Sequence, residues 1–206
     1  AMVDALARSA GLEWDVRSVT TMGASLRDHL AGNIVPARLR DERWDFVVLQ
    51  QGPSTLPESR ADLRDGAAAF REPIEKAGAR AALYMVWPDS AWSRSRFMED
   101  FDRVRDSYAL AAHDIGGLFI PAGEAWRSVR ARDATLPLFG PDGFHPAPEG
   151  TYVAALAIFA RLSERPVAGL PGRLEAPDGM VLVNIPAERA AVIQQAVADA
   201  LAQFGN

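Results

Sequence analysis

The chain has 206 residues and a formal net charge of −5, with 49% hydrophobic and 24% charged residues. This length suits a single α/β domain, and the apolar content excludes a disordered chain, which lacks the surface to form a core. No apolar run approaches the roughly 18 consecutive residues of a membrane-spanning helix. The mildly acidic charge, without a basic cluster, argues against a nucleic-acid partner. The absence of cysteine excludes disulfides and Cys-ligated zinc, and it leaves the compartment open.

Helix-like and strand-like patterns alternate along the chain. Short apolar runs bounded by Gly, Pro or polar residues predict buried strands. They span residues 16–20, 46–50, 82–87 and 118–121, and a short extra strand is predicted at 180–185. Apolar stripes at spacings of three and four predict amphipathic helices. These helices cover residues 2–10 and 59–77 and the stripes at 97–111, 152–162 and 193–204.

Helices between strands require crossover connections, which favour a mostly parallel sheet covered on both faces. We therefore expect a three-layer α/β/α architecture in a single domain over residues 1–206. Ligands of such sheets bind beyond the carboxyl ends of the strands. The loops that follow the predicted strands, together with residues 138–149, are therefore the candidate site segments.

The most informative motif is Pro141-Asp142-Gly143-Phe144-His145-Pro146. An Asp three residues before a His, with a Gly between them, can fold back to accept the Nδ1 hydrogen of the imidazole. This contact would fix the tautomer and leave Nε2 as a base. The spacing alone is also compatible with a plain turn, in which Asp142 is solvated and His145 caps the loop.

Two further loops carry hydrogen-bond donors that could contact a substrate, and the carboxamides of one of them suit an oxyanion. A hydrophobic strand runs into Gln50 and Gln51, whose carboxamides are hydrogen-bond donors. Gly23 follows the first predicted strand and offers a main-chain N–H without side-chain obstruction. Each loop also has a purely structural interpretation. The glutamines can satisfy main-chain groups of their own loop, and Gly23 can simply form a tight turn between a strand and a helix.

The nucleophile is not evident from motifs. The Gly-x-Ser-x-Gly pattern of the α/β-hydrolases is absent, since neither Ser25 nor Ser54 is followed by the second Gly. Ser25 is equally suited to be a helix N-cap. A different type of α/β hydrolase that uses Ser25 or Ser54 is therefore one hypothesis.

Together these loops resemble the SGNH or GDSL-type hydrolase superfamily, and in particular bacterial members of unknown substrate. Four stretches carry the resemblance: Met22-Gly23-Ala24-Ser25-Leu26, the segment from Val47 to Ser54, Tyr84-Met85-Val86-Trp87-Pro88, and Asp142-Gly143-Phe144-His145-Pro146. The resemblance implies a flavodoxin-like sheet, with Asp142 as the orienting acid and His145 as the general base. It also implies that Gly23 donates to the oxyanion hole. Gln50 or Gln51 takes the place of the family's Asn.

One block of the family has no counterpart in this sequence. In the family the nucleophilic Ser follows the first strand, and this chain begins at about the helix after it. We therefore expect the first strand and its Ser to lie upstream of Met2, because Ala1 resembles a residue left by a tag.

The resemblance implies a serine esterase that hydrolyses ester bonds, such as the O-acetyl esters of carbohydrates, without a cofactor or a metal ion. The expected partner is a small-molecule or carbohydrate ester. The alternative is a catalytically inactive module of the same fold that binds a glycan or a lipid. A nucleophile encoded upstream would favour the enzyme, and its absence would favour the module.

Overall fold

The computed structural model describes residues 1–90 and 96–205. The helices are α1 (Met2–Ser9), α2 (Leu26–Ala31), α3 (Ile34–Asp41), α4 (Pro57–Lys76), α5 (Phe97–Asp114), α6 (Ala122–Arg132), α7 (Pro148–Ser163) and α8 (Ala187–Phe204). The strands are β1 (Phe46–Leu49), β2 (Arg80–Tyr84), β3 (Leu118–Ile120), β4 (Arg173–Glu175) and β5 (Val181–Asn184). Contacts divide the chain into two compact units.

One unit contains residues 18–88 and 96–120 and is built on a parallel sheet. Its strand order is β1-β2-β3, with Val47 opposite Ala81 and Leu83 opposite Phe119. Helices α4 and α5 pack together in this unit through apolar residues at helical spacing. The fully buried ones are Leu63, Ala67, Phe70, Ile74, Phe101, Val104 and Ala111. The parallel sheet confirms the predicted mixed α/β class.

The other unit contains residues 1–17, 89–90 and 121–205. Its helices α6, α7 and α8 pack together, and α1 packs on α7. Trp126, Tyr152, Leu156 and Phe159 are among its largest buried side chains. Strands β4 and β5 form a separate antiparallel pair, so the predicted strand at 180–185 is confirmed and its partner is new.

The predicted strand at residues 16–20 is wrong. These residues are assigned to no strand, and Val16 is 42% exposed. A strand needs a hydrogen-bonded neighbour, and in the described part of the chain the sheet strands pair only with one another. The predicted strand at 82–87 is also displaced, since β2 ends at Tyr84. Its partner β3 ends at Ile120, whose carbonyl accepts a last hydrogen bond from Met85.

The predicted helices agree with the structure where local signals are strong. Pro148 is the first residue of α7, as its missing N–H predicts. Helix α4 continues past Pro73 and ends at Lys76, two residues before Gly78, which has a φ of +74°. None of the helices in the described segments has both the length and the apolar character needed to cross a membrane.

Candidate active site

The Asp142–His145 motif lies in a loop that is closed by its own main chain. Ala147 donates to the carbonyl of Leu138 at 2.9 Å, and Gly140 donates to the carbonyl of His145 at 2.7 Å. Gly143 has a φ of +71° and donates to the carbonyl of Gly140 at 3.0 Å. This left-handed conformation favours glycine. The loop of residues 138–147 therefore has a fixed shape that depends on Gly143.

Helix α7 and helix α6 support this loop from within the same unit. Gly150 lies in the first turn of α7, and a Cβ atom there would overlap the Leu138 carbonyl oxygen and the Trp126 ring. The indole N–H of Trp126 donates to the Gly150 carbonyl at 3.0 Å, and the Trp126 ring packs edge-on against Phe139. The glycine therefore permits the close approach that holds the loop.

Within the loop, the structure brings Asp142 and His145 into contact. Asp142 Oδ2 lies 2.5 Å from His145 Nδ1. Asp142 Oδ1 accepts the main-chain N–H groups of Phe144 at 3.0 Å and His145 at 2.9 Å. The carboxylate therefore favours the tautomer that carries its proton on Nδ1. Nε2 is then the ring nitrogen that can accept a proton.

The surroundings of the Asp142 carboxyl favour its ionised form. The pKa of the Asp142 carboxyl is lowered to about 2, first by the hydrogen bond with the His145 side chain and then by the two main-chain N–H groups. The side chains of His145 and Asp142 are 72% and 51% exposed. Both side chains of the pair are therefore accessible to solvent.

Ser90 also contacts this loop, and the sequence analysis missed it. Its main-chain N–H and its hydroxyl both donate to the Gly143 carbonyl oxygen, at 3.1 Å and 2.5 Å. Ser90 is 53 residues away in sequence, and its only sequence signal is its position shortly after β2. The contact braces the turn between Asp142 and His145.

The other predicted site residues lie in the unit that holds the parallel sheet. Gly23 is exposed and has a φ of +72°, in a turn where Ala24 donates to the Thr21 carbonyl at 3.2 Å. Ser25 caps α2, because its hydroxyl accepts the Asp28 N–H while the Asp28 carboxylate accepts the Ser25 N–H at 2.8 Å. The structure therefore supports the N-cap interpretation of Ser25.

The two glutamines after β1 differ sharply in environment. Gln50 is exposed, and its side-chain amide donates to the Gln51 carbonyl at 2.5 Å. Gln51 is only 8% exposed. Its side chain accepts the Leu26 N–H at 3.0 Å and donates to Asp62 at 3.1 Å.

Helix α5 fixes the main chain of the loop that follows β1. The Tyr108 hydroxyl accepts the Gln51 N–H at 3.1 Å and lies 2.5 Å from the Gln51 carbonyl oxygen. The Ser107 hydroxyl donates to the Ser54 carbonyl at 2.7 Å. Ser54 has a φ of +58°, which is uncommon for a residue other than glycine. These buried contacts hold Ser54 in an otherwise costly conformation.

The structure thus joins the predicted residues in two groups, each in its own unit. Asp142 and His145 form one group. Gln51 binds the first residue of the helix after Gly23, so Gly23, Gln50 and Gln51 belong to the other. Across residues 1–90 and 96–205, no set of three or more His, Asp or Glu side chains could hold a metal ion.

Comparisons with known proteins bear on the fold. No family model matches the chain, and no curated protein matches it. A solved structure described as "a putative SGNH hydrolase from Slackia heliotrinireducens" shares 29% identity, with a TM-score of 0.65 over 77% of this chain and 89% of that one. A DUF4886 family protein from Bacteroides uniformis shares 21% identity, with a TM-score of 0.74 over 99% of this chain and 89% of that one. The chain therefore has the α/β fold of the SGNH-type hydrolases.

Proposed function

We propose that the chain is a serine esterase of the SGNH type that hydrolyses ester bonds, the O-acetyl esters of carbohydrates among them. The observation that carries the proposal is the 2.5 Å contact between Asp142 Oδ2 and His145 Nδ1. An ionised carboxylate at Nδ1 and an exposed imidazole are what a general base requires. The SGNH-like fold raises the expectation that this base serves acyl transfer.

In the proposed mechanism, a serine hydroxyl attacks the carbonyl carbon of the ester, and Nε2 of His145 takes the hydroxyl proton. The tetrahedral intermediate then breaks its bond to the alcohol oxygen, and the alcohol leaves with the proton from His145. Water attacks the acyl-enzyme, gives a proton to His145, and releases the carboxylic acid as the serine regains its proton. Asp142 stays ionised throughout and stabilises the imidazolium.

The negative charge of the intermediate needs hydrogen-bond donors. We assign this role to the main-chain N–H of Gly23 and to a side-chain amide of the loop after β1. The exposed backbone of Gly23, with a φ that suits glycine, supports its part in the proposal.

We assign the nucleophile to the serine of the family's first block, upstream of Met2. The hydroxyls of the two serines considered within the chain are engaged elsewhere. Ser25 Oγ exchanges hydrogen bonds with Asp28, and Ser54 is buried, with its Oγ donating to the Gly52 carbonyl at 3.1 Å. These hydrogen bonds argue against Ser25 and Ser54 as the nucleophile and support the serine of the first block.

Ester turnover in four proteins tests the proposal: the 206-residue chain, the chain extended upstream through the preceding reading frame, and His145→Ala in each. We expect only the extended chain to hydrolyse p-nitrophenyl acetate, and His145→Ala to lower its kcat by about 10⁴ or more.

Two results would contradict parts of the proposal. If the 206-residue chain is active and Ser25→Ala or Ser54→Ala abolishes that activity, the nucleophile lies within the chain. If the extended chain is inactive on every ester but binds a glycan or a lipid, the chain is a binding module.

A further inference from the structure

Gln51 is a buried carboxamide with both ends in use. Its carbonyl oxygen accepts the Leu26 N–H at 3.0 Å, and its amide nitrogen donates to Asp62 of α4 at 3.1 Å. Its main-chain N–H and carbonyl both contact the Tyr108 hydroxyl. Such a side chain cannot turn toward a substrate without leaving buried polar groups unpaired, which is costly.

The contacts of Gln51 join the two segments that carry the proposed oxyanion donors. Leu26 is the first residue of α2 and lies three positions after Gly23. Gln51 itself lies in the loop after β1, next to Gln50. The link is reinforced on the helix side, because Arg27 contacts Asp62 at 3.8 Å and Asp65 at 3.0 Å. Gln51 therefore fixes the distance between the Gly23 turn and the end of β1.

Gln50 has the opposite character. It is exposed, and its amide donates only to the Gln51 carbonyl oxygen among the contacts of the described residues. That oxygen also lies 2.5 Å from the Tyr108 hydroxyl. The carbonyl therefore keeps a hydrogen-bond donor when the Gln50 amide leaves, so little is lost when Gln50 turns to another acceptor.

We infer that Gln51 is a positioning residue, which sets the spacing of the oxyanion donors, and that Gln50 supplies the side-chain N–H to the oxyanion. The part of this inference that concerns Gln50 rests on the proposed function. The positioning part for Gln51 rests on the contacts alone.

The first experiment uses the 206-residue chain and needs no activity. Hydrogen exchange of the Leu26 amide is measured by NMR in the wild type, Gln51→Met, Gln50→Met and Gln194→Met. Gln194 is the matched control, because it is a buried glutamine that accepts the Gly169 N–H and donates to Leu170 in the other unit. We expect exchange to be about tenfold faster in Gln51→Met alone. Unchanged exchange in Gln51→Met, or equal acceleration in Gln194→Met, would overturn the positioning role.

The second experiment measures ester turnover in the extended chain. Gln50→Met should lower kcat by about 10²–10³ and leave KM within about threefold. Gln51→Met should lower kcat in the wild-type background and have little further effect in the Gln50→Met background, because the donor spacing that Gln51 sets affects kcat only while Gln50 supplies its N–H. Gln194→Met should leave kcat unchanged.

The outcomes separate the inference from the proposed function. Full additivity of the two substitutions, or an unchanged kcat in Gln50→Met, would overturn the inference while the esterase stands. Absence of turnover in the extended wild type would overturn the esterase and the Gln50 role together. The exchange of the Leu26 amide would still decide the role of Gln51.

Discussion

Ser90 donates two hydrogen bonds to the carbonyl oxygen of Gly143, one from its main-chain N–H at 3.1 Å and one from its hydroxyl at 2.5 Å. Gly143 lies between Asp142 and His145. A residue far away in sequence therefore braces the turn that lies between the two members of the Asp142–His145 contact.

The first prediction concerns this brace. Ser90→Ala removes the hydroxyl bond and keeps the main-chain one. We expect the free energy of unfolding to fall by about 0.5–1.5 kcal/mol, and kcat of the extended chain to fall by about tenfold, because the base loses its orientation. Ser9→Ala is the matched control, since the Ser9 hydroxyl also donates to a carbonyl, that of Leu6. An equal loss of kcat in both variants would contradict a specific brace.

The second prediction concerns pH. The pKa of Asp142 is lowered to about 2, so the pair contributes stability above the carboxyl's unfolded pKa of about 3.9 and loses it as the pH falls toward 2. The wild type should therefore exceed Asp142→Asn in stability at pH 6, and the difference should shrink below pH 4. Denaturant unfolding at several pH values measures this difference.

A background variant gives the pH prediction its control. The His145 side chain is the largest cause of the lowered pKa of Asp142. In a His145→Ala chain, Asp142→Asn should therefore produce a smaller pH-dependent difference. A difference that is the same in both backgrounds would mean that the main-chain N–H groups alone hold the carboxylate.

The third prediction concerns the close contact at Gly150. Alanine is a better helix former than glycine by about 1 kcal/mol, but its Cβ would overlap the rigid Leu138 carbonyl and the buried Trp126 ring. Overpacking of this kind costs about 1–3 kcal/mol or more. Gly150→Ala should therefore lower the melting temperature.

Gly32→Ala is the control for this steric argument, because its Cβ would make only ordinary contacts at 3.6 Å. The free energy of unfolding of Gly32→Ala should stay within about 0.5 kcal/mol of the wild-type value. If Gly150→Ala were as well tolerated as Gly32→Ala, the α7 backbone would not need the glycine.

The fourth prediction concerns the Tyr108 hydroxyl. Tyr108→Phe leaves the buried Gln51 N–H without its partner, which should cost about 1–3 kcal/mol and lower kcat of the extended chain. Tyr152→Phe is the matched control, because the buried Tyr152 hydroxyl contacts Pro171 and Gln194. It should destabilise the chain comparably without lowering kcat, and the two variants are compared by denaturation and ester turnover.

Short-range patterns were sufficient to predict much of the fold. The apolar stripes of α5, α7 and α8 are set by helical spacing within each segment, and Pro148 marks the start of α7 by its own chemistry. Residues 16–20 have strand-like composition but no hydrogen-bonded neighbour in the sheet. A pattern within five residues contains no information about a neighbouring strand, and the prediction failed for that reason.

The same distinction applies to the candidate site. The Asp142–His145 contact spans three residues, so the motif itself indicated it. The contacts of Gln51 with Leu26 and of Ser90 with Gly143 span 25 and 53 residues. No local pattern distinguishes Gln51 from Gln50, and only the tertiary structure separates the buried amide from the exposed one.

Within the described residues, the main-chain and Asp142 hydrogen bonds that close this loop join residues 138–147 to one another, and Ser90 adds its brace from outside the loop. Asp142 and His145 are therefore encoded in one short stretch of the gene, whereas the proposed oxyanion donors are encoded about a hundred codons earlier. Mutation can change the two parts separately. Under the proposed function, a descendant of this chain can change its oxyanion donors through substitutions in its early loops while it inherits the Asp142–His145 pair unaltered.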